Sequence, residues 1–599
     1  MARDLRCQAM KYPLRKNFPA SIGCAAFLLL SLLPPADAQN NPDEGLSLFL
    51  REPETILPFL EESADFWLAA WDAEEAAFFS EVGRDGTPFS QNKAFLAQSR
   101  NAYAMAKAFM ITGEEDYLTY ADGALRFLYD VGWDEDNGGW WGQAAPNGTI
   151  STGIWYNNSR WSFWQHYMLL GPSAYIEATR DPFHEEWLEK GNAVNDEELW
   201  DDRPGREGYF NNASLDWSTK TGKGFTPTVD AITTNALTNY LLTRDPARRD
   251  RLTALGDNIA DKMVRADHGH LVSFPSDYDA DWNVDFSEET TSIGHHLKTG
   301  WSLARVFLID PDPRYRETAK ELMDEIWNFE GTNGVDPWDH ENGIMRQRLN
   351  VYTGAVSGNA DWWTVEQAVT GGLMNWYLTR DPAHLQMAND AIAFFMANFY
   401  DEEFGEVFSV VSNTGRLTDS TKGDMFKAGY HSIELFYLLY LYGNLYYHNQ
   451  PVTLHYRFEA AEEDRSLHLW PLAIEDERLV IEAVQKDGAA YGNFSRRDRT
   501  LEVPAGESGV YAVTFASRYA TNPPAHFHGD WWEDWFGWYY HDRTTYPWVY
   551  LPEAGWCYLF PNGKSRSGWL YDVGQSRYLF TSAAAWPFVY SPGEGWGGL

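Results

Sequence analysis

Cysteine is nearly absent, at three in 599 residues. Cys7 and Cys24 fall in an N-terminal basic and apolar stretch, which leaves Cys557 alone in the remainder. That remainder can form no internal disulfide and no cysteine metal site, so its stability rests on packing. Positive charge is also scarce: 47 Lys+Arg stand against 86 Asp+Glu, for a formal charge of -39. A chain so acidic lacks the cationic face that a phosphate backbone needs, which excludes the nucleic-acid-binding classes. It suits solubility instead. Long apolar runs are lacking as well. The run Ile22 to Leu33 is short for a membrane span. It follows Arg3, Arg6, Lys11, Arg15 and Lys16 and precedes Ala36-Asp37-Ala38, a small-x-small site. Residues 1–38 therefore read as a secretory signal. The expected location is secreted, periplasmic or cell-surface, with no transmembrane anchor after cleavage.

What the chain has in quantity is aromatic rings: 28 Trp, 33 Tyr and 34 Phe. Flat rings cover the C–H face of a pyranose, and they equally serve as core packing. It also has a turn signal that returns about every 65 residues. Thr112-Gly113, Thr179-Arg180-Asp181-Pro182, Thr243-Arg244-Asp245-Pro246, Asp310-Pro311-Asp312-Pro313, Thr379-Arg380-Asp381-Pro382 and Tyr442-Gly443-Asn444 make six returns. A period that long holds a helix, a loop, a second helix and a tight turn. Asp-Pro stops one helix and starts the next, because proline tolerates a helix start and not its interior. Between turns the apolar spacing is helical, as in 101–111, 299–307 and 432–442. Six helical hairpins closed in a ring give an (α/α)6 barrel over residues 43–450, so the fold class is mainly α. Arg100, Tyr167, Ala231, Lys298, Gln367 and His431 each sit about twelve residues before a turn. That is roughly three helical turns, so inner helices would present these six at one level of a central cavity.

The opposite connections are longer and rich in Gly, Asp and aromatics. Residues 134–148 and 401–415 read as short hairpins over one mouth of the barrel. Residues 451–517 alternate apolar and polar at period two, in 452–458, 479–483 and 509–515, which predicts a small β-sandwich. Residues 518–527 hold Pro523-Pro524 and read as a linker. From 528 to 599 the chain repeats itself: Tyr546-Pro547-Trp548-Val549-Tyr550 returns forty residues later as Trp586-Pro587-Phe588-Val589-Tyr590, and Gly555-Trp556 as Gly595-Trp596. This aromatic-repeat β tail is either a contact for glycan or cell envelope or a small module with no ligand.

Two segments carry candidate chemistry. In Gly294-His295-His296-Leu297-Lys298-Thr299-Gly300-Trp301, a helix puts His295 and Lys298 on one face and turns His296 away. In Lys427-Ala428-Gly429-Tyr430-His431, the histidine opens a very apolar helix. A lone histidine beside such a stripe commonly serves the core, but two at matching levels of a repeated barrel form a pair. Imidazoles titrate near neutrality, so a pair can act as acid and base on opposite sides of one carbon. Arg100 and Lys298 either stabilise negative charge on a sugar oxygen or pair with carboxylates of the inner helices.

With these segments in view, the chain resembles the N-acylglucosamine 2-epimerase superfamily, which includes cellobiose 2-epimerases and mannose isomerases. The resemblance covers residues 60–450 and rests on 93–100 (KAFLAQSR), 138–141 (GGWW), 233–239 (TTNALTN), 294–301 (GHHLKTGW), Trp362-Trp363 and 422–431 (KGDMFKAGYH). It implies the same helical barrel. It implies ring opening of a sugar, removal of the C2 proton to give an enediolate, and reprotonation at C2 (epimerisation) or C1 (isomerisation). His295 and His431 would be the base and acid. Arg100 and Asn235 would contact the sugar, with Trp141, Trp363, Phe426, Lys298, Asn239 and Gln367 completing the substrate site. No metal or redox cofactor is implied.

Several positions depart from that pattern. Lys298 and Gln367 stand where glutamates are expected, Asn239 replaces a histidine, Phe426 a stacking tryptophan and Glu434 an arginine; Glu366 lies beside Gln367. A lysine in place of a carboxylate would favour a negatively charged sugar such as a uronate. Beside the epimerase or isomerase reading stand two others. One is a hydrolase or lyase on the same barrel, with Asp230, Asp361 and Glu366 as candidate carboxylates. The other is a non-catalytic glycan-binding protein.

Overall fold

The Thr-Arg-Asp-Pro turns follow from their chemistry. In three of them the threonine hydroxyl donates back to the carbonyl four residues earlier (Thr179 to Tyr175, 2.8 Å; Thr243 to Asn239, 2.8 Å; Thr379 to Asn375, 2.7 Å). Arg180, Arg244 and Arg380 then take the left-handed conformation, with φ of 55°, 55° and 58°, and end the helix. The aspartate after each, and Asp312 in the fourth turn, caps the next helix by accepting the N–H two residues on at 2.9–3.0 Å. Proline fills the first helical position, where no N–H is needed.

In the computed structural model the described residues are 45–599, less 147, 265–276, 285–289, 413, 476–478, 518–526, 529–530, 535–536, 541–547, 553, 561–566 and 583–584. The N-terminal signal segment with Cys7 and Cys24, Pro523-Pro524 and Tyr546-Pro547 lie outside them. Leu46–Leu599 is one compact unit. Among the described residues no helix is long and apolar enough to cross a membrane.

Six helical pairs follow one another. They are α1 (Leu57–Leu68) and α2 (Phe95–Thr112), α3 (Asp116–Gly132) and α4 (Leu170–Thr179), α5 (Pro182–Val194) and α6 (Leu237–Thr243), α7 (Pro246–Asn258) and α8 (Ile293–Ile309), α9 (Pro313–Asn328) and α10 (Trp362–Thr379), and α11 (Pro382–Asn398) and α12 (Tyr430–Tyr442). The second helix of each pair touches the next such helix, save that α6 is linked to α8 through the turn Thr226–Asp230, and α12 returns to α2, so six inner helices close a ring. The turns Thr226–Asp230 and Ile232–Ala236, which lead into α6, are wound as π-helix, and the first of them reaches α8. Composition sorts inner from outer. Every residue of α2 from Phe95 to Met110, and all of α12, is buried. By contrast α9 buries only a stripe along one face.

A second period marks the other end of the ring. Trp71-Asp72, Trp133-Asp134, Trp200-Asp201, Tyr278-Asp279, Trp338-Asp339 and Tyr400-Asp401 recur in the loops from outer to inner helix. Each aspartate folds a tight turn by accepting the N–H two residues on, at 2.8–3.2 Å. Five also hold a lysine or arginine: Asp72 with Lys93, Asp134 with Arg160, Asp201 with Lys223, Asp339 with Arg346 and Asp401 with Lys422. The loops at 134–148 and 401–415 pair with strands that enter the inner helices. Gln143–Ala144 pairs with Lys93–Ala94, and Val410–Val411 with Ala360–Asp361.

Residues 452–517 form two antiparallel sheets, one four-stranded and one three-stranded. Their connecting segment closes the turn end of the ring. The Leu472 N–H donates to Glu177 at 2.9 Å, Tyr442 Oη donates to the Ala473 carbonyl at 3.2 Å, and Arg305 of α8 binds Glu475 and the Leu472 carbonyl. Beyond, strands from Phe527–His528 to Gly595–Gly598 pair in sequence order as one nine-stranded antiparallel meander. From 548 onward its faces differ. Val549, Leu551, Cys557, Leu570, Leu579 and Val589 are buried, while Trp548, Tyr550, Trp556, Trp569, Tyr578, Phe588, Tyr590 and Trp596 are exposed.

Candidate active site

Strand Thr290–Ser292 delivers the chain into α8, and Gly294 stands in its first turn. A Cβ at Gly294 would lie 2.6 Å from Trp363 and 2.9 Å from the Thr364 hydroxyl. Glycine therefore lets the Trp363 indole lie against the start of α8. Next to it the His295 ring stacks on Phe225, with centroids 3.7 Å apart and planes at 10°, and meets Trp363 at 5.6 Å. His431, at the start of α12, meets the same indole at 6.3 Å. The two imidazole centroids are thus no further apart than those two legs laid end to end. His296 turns away, its Nδ1 2.9 Å from the Ser292 carbonyl.

Both rings are held neutral. Burial pushes His295 down to about 3, helped by the positive charges of His296, Lys298 and Arg348. Burial likewise holds His431 well below the usual histidine range, with Arg100, Lys298 and Lys427 adding to it. Their surroundings are otherwise unlike. His295 Nδ1 is buried with no hydrogen-bond partner, whereas His431 Nδ1 lies 3.2 Å from Glu366 Oε2. Glu366 also accepts from the Gln367 side chain and from Thr370 Oγ1 (3.2 Å). Gln367 in turn accepts from Trp301 Nε1. Burial, and then the charge of Glu434, hold the Glu366 carboxyl well above its usual range.

One turn along α8 from His295, Lys298 donates to Asp230 Oδ1 (2.6 Å) and Tyr167 Oη (3.0 Å). Burial opposes its charge, but Asp230 and Tyr167 more than offset that and hold the ammonium above its usual range. Of the two roles open to Lys298, the structure shows the ion pair. Arg100 lies over the Tyr167 ring at 4.3 Å and donates to the Phe426 carbonyl, while its Nε is buried without a partner. Phe426 stacks on Trp164 at 5.8 Å and 14°. There a cleft of about 260 Å³ opens, lined by Trp155, Trp161, Trp164, Asn158, Ser159 and Asn212.

Of the positions that turn spacing set at one level, Arg100, Tyr167 and Lys298 are joined by direct contacts, and Gln367 joins His431 through Glu366. Trp363 and Phe426 belong to the same set. Three other expected contacts stand apart from it. Asn235 donates to Asn192 of the outer helix α5 at 2.6 Å. Asn239 is buried in α6 and its side-chain oxygen has no partner. Trp141 lies under the Arg160 guanidinium at 4.4 Å. Of the candidate hydrolytic carboxylates, Asp230 is bound by Lys298, Asp361 accepts from Gln347, and Glu366 faces His431.

Sequence reasoning missed Tyr430, Trp164 and the cleft tryptophans, which belong to no single motif. It also left Glu366 in second place, because Gln367 occupies the family position and a one-residue choice on a helix needs coordinates. Among the described residues, two clusters bring three metal-binding side chains within 4.8 Å of one another: Asp324, Asp381 and His384, and Glu366, His431 and Glu434. In the first, Lys320 already supplies positive charge to Asp324 and Asp381.

Residues 77–434 match the profile of the family described as N-acylglucosamine 2-epimerase (GlcNAc 2-epimerase). The cellobiose 2-epimerase of Bacteroides fragilis is 22% identical over 382 residues, 61% of this chain and 93% of that protein. The N-acylglucosamine 2-epimerase of Homo sapiens is 29% identical over 140 residues, 23% of this chain and 32% of that protein. Among solved structures, a cellobiose 2-epimerase from Spirochaeta thermophila aligns with a TM-score of 0.58 and 21% identity, over 66% of this chain and 97% of that one. A D-mannose isomerase does so with 0.58 and 17%, over 66% and 98%. Likeness at these identities speaks to the fold.

Proposed function

Because this chain belongs to the N-acylglucosamine 2-epimerase family, we propose that it is a sugar 2-epimerase or aldose–ketose isomerase working through an enediolate. The observation that carries this reading is the meeting of His295 and His431 at one indole, Trp363. A sugar seated on that ring would have an imidazole toward each side of C2. His431, backed by Glu366, is the ring whose positive charge would be stabilised, so it takes the C2 proton. His295 serves the other face. Arg100, with a free Nε, steadies the oxygen on which charge develops. Lys298 is neutralised by Asp230, which favours a neutral sugar over a uronate. The aromatic cleft beside Phe426 suits a further ring of an oligosaccharide.

Incubation with mono- and disaccharides in D2O should place deuterium at C2. His295→Ala and His431→Ala should each lower that exchange roughly 10²–10⁴-fold. Exchange that survives both substitutions would remove the histidines from the mechanism.

The same reading extends to the rest of the chain. The order of basic run, apolar run and Ala36-Asp37-Ala38 supports export, to a secreted, periplasmic or cell-surface location. The exposed ring face of the C-terminal meander is the proposed contact for a neutral glycan. Among the described strand positions from Trp548 to Trp596, those that alternate with the buried ones carry no charged side chain, on a chain of net charge -39.

A further inference from the structure

Glu434 takes no part in the steps above, yet it stands beside them. It follows His431 by three residues on α12, so the two side chains share a face. Glu366 meets that face from α10, with Oε2 3.2 Å from His431 Nδ1. One ligand atom from each of the three lies within 4.8 Å of the others, and all three side chains are buried. Glu434 Oε2, inside this cluster, has no hydrogen-bond partner among the described residues. Gln367 and Thr370 donate to Glu366 and so orient its carboxylate. Two buried carboxylates repel one another, and a divalent cation between them turns that repulsion into attraction. The nearby side-chain cations are each taken by another carboxylate: Lys298 by Asp230, Lys107 by Glu177 and Arg305 by Glu475. The other cluster of this kind among the described residues differs on both counts. Its aspartates, Asp324 and Asp381, are only part-buried, and Lys320 pairs with both.

We propose that Glu366, His431 and Glu434 form an inhibitory site for a divalent transition-metal ion of the zinc class. The binding stands on the cluster alone; the inhibition rests on the sugar-epimerising reading of His431. One imidazole nitrogen with two carboxylate oxygens is a donor set that zinc and its first-row neighbours accept. Zinc holds such atoms at about 2.0–2.2 Å, hence roughly 3.5 Å apart in a tetrahedron, a small contraction of the cluster. Glu434 has room for it, since it borders a cavity of about 40 Å³. The bound ion takes the lone pair of His431 Nδ1. The neutral ring then carries its one proton on Nε2, which has no pair left to accept the C2 proton. Release of the ion returns the ring proton to Nδ1, facing Glu366, and frees Nε2 for substrate.

The test is uptake of zinc alone. Equilibrium dialysis of the full chain against Zn2+ should load a site that Glu434→Gln weakens by about tenfold or more, while His384→Gln, in the other cluster, leaves it as it was. Circular dichroism checks that each variant is folded. No uptake by wild type, or uptake that Glu434→Gln leaves unchanged, would overturn the proposal. X-ray absorption at the zinc edge needs no variant: loaded wild type should show one imidazole in a shell otherwise of oxygen, and a shell without imidazole would also overturn the site. In C2 exchange, zinc should lower the kcat of wild type with KM unchanged, EDTA should restore it, and Glu434→Gln should need about ten times more zinc for the same loss. Bound zinc that leaves kcat where it was would sink the inhibitory role. If wild type exchanges the C2 proton of no sugar, the epimerising reading fails by itself, and dialysis and the absorption edge still decide the site.

Discussion

At the scale of single residues, Trp363 reaches both imidazoles because position 294 has no side chain. Gly294→Ala would set a methyl 2.6 Å from the indole, which must then tilt away from His295 or His431. The expected outcome is a folded protein, by circular dichroism, whose C2 exchange is slowed roughly tenfold or more, since geometry in such sites is worth that much per ångström. A Gly294→Ala protein of wild-type rate would show that the indole does not position the pair. The sequence made much of this layer readable. His295 and His431 sit in the most distinctive segments, and turn spacing alone placed Arg100, Tyr167, Lys298, Gln367 and His431 together. What it could not reveal was partnership. For Lys298 the sequence allows both a free cation and an ion pair, and only Asp230, 68 residues away and found beside it, decides between them. The Asn235 and Trp141 side chains face neighbours that no spacing rule identifies.

At the scale of elements, the Asp-Pro turns were plain because their signal is local: proline, a capping oxygen and a left-handed arginine act within four residues. The Trp-Asp and Tyr-Asp turns repeat as regularly but are quieter, since in four of them a bound cation lies 21–26 residues away and no local rule links the two. They carry a pH dependence. Burial alone would raise Asp201 and Asp401; hydrogen bonds from Arg203 and Lys223, and from Arg84 and Lys422, outweigh it and pull each down to about 2. Carboxyls held below their unfolded value of about 3.9 stabilise the fold fully above that pH, and the contribution is lost as pH falls toward 2. It amounts to about 2 kcal/mol apiece. Thermal unfolding followed from pH 5 to pH 2 should therefore show a steep loss of stability. Asp401→Asn should flatten that slope and cost about 3 kcal/mol at neutral pH, because it leaves Lys422 buried without its partner. An unchanged slope would place the acid sensitivity elsewhere.

At the scale of the whole molecule, the exposed ring face of the meander is the part proposed to meet glycan. If the meander grips neutral glycan, Trp556→Ser with Trp596→Ser should abolish co-sedimentation with an insoluble neutral polysaccharide, leaving C2 exchange on a soluble sugar at the wild-type rate. Retention that survives both changes would assign those rings no ligand. Sequence anticipated strands here from the forty-residue repeat, but not that they join as one sheet with two unlike faces. Period two tells which residues share a face and leaves open which face meets the protein. On the covered face, between its register partners Val549 and Asp572, sits Cys557, the sole thiol among the described residues, fully buried and with its ionisation pushed up to about 12. A sulfur so shielded reacts only while the strands around it are apart. The rate at which it takes an alkylating label is therefore a built-in clock for how often the tail breathes, readable in the native enzyme with no substitution at all.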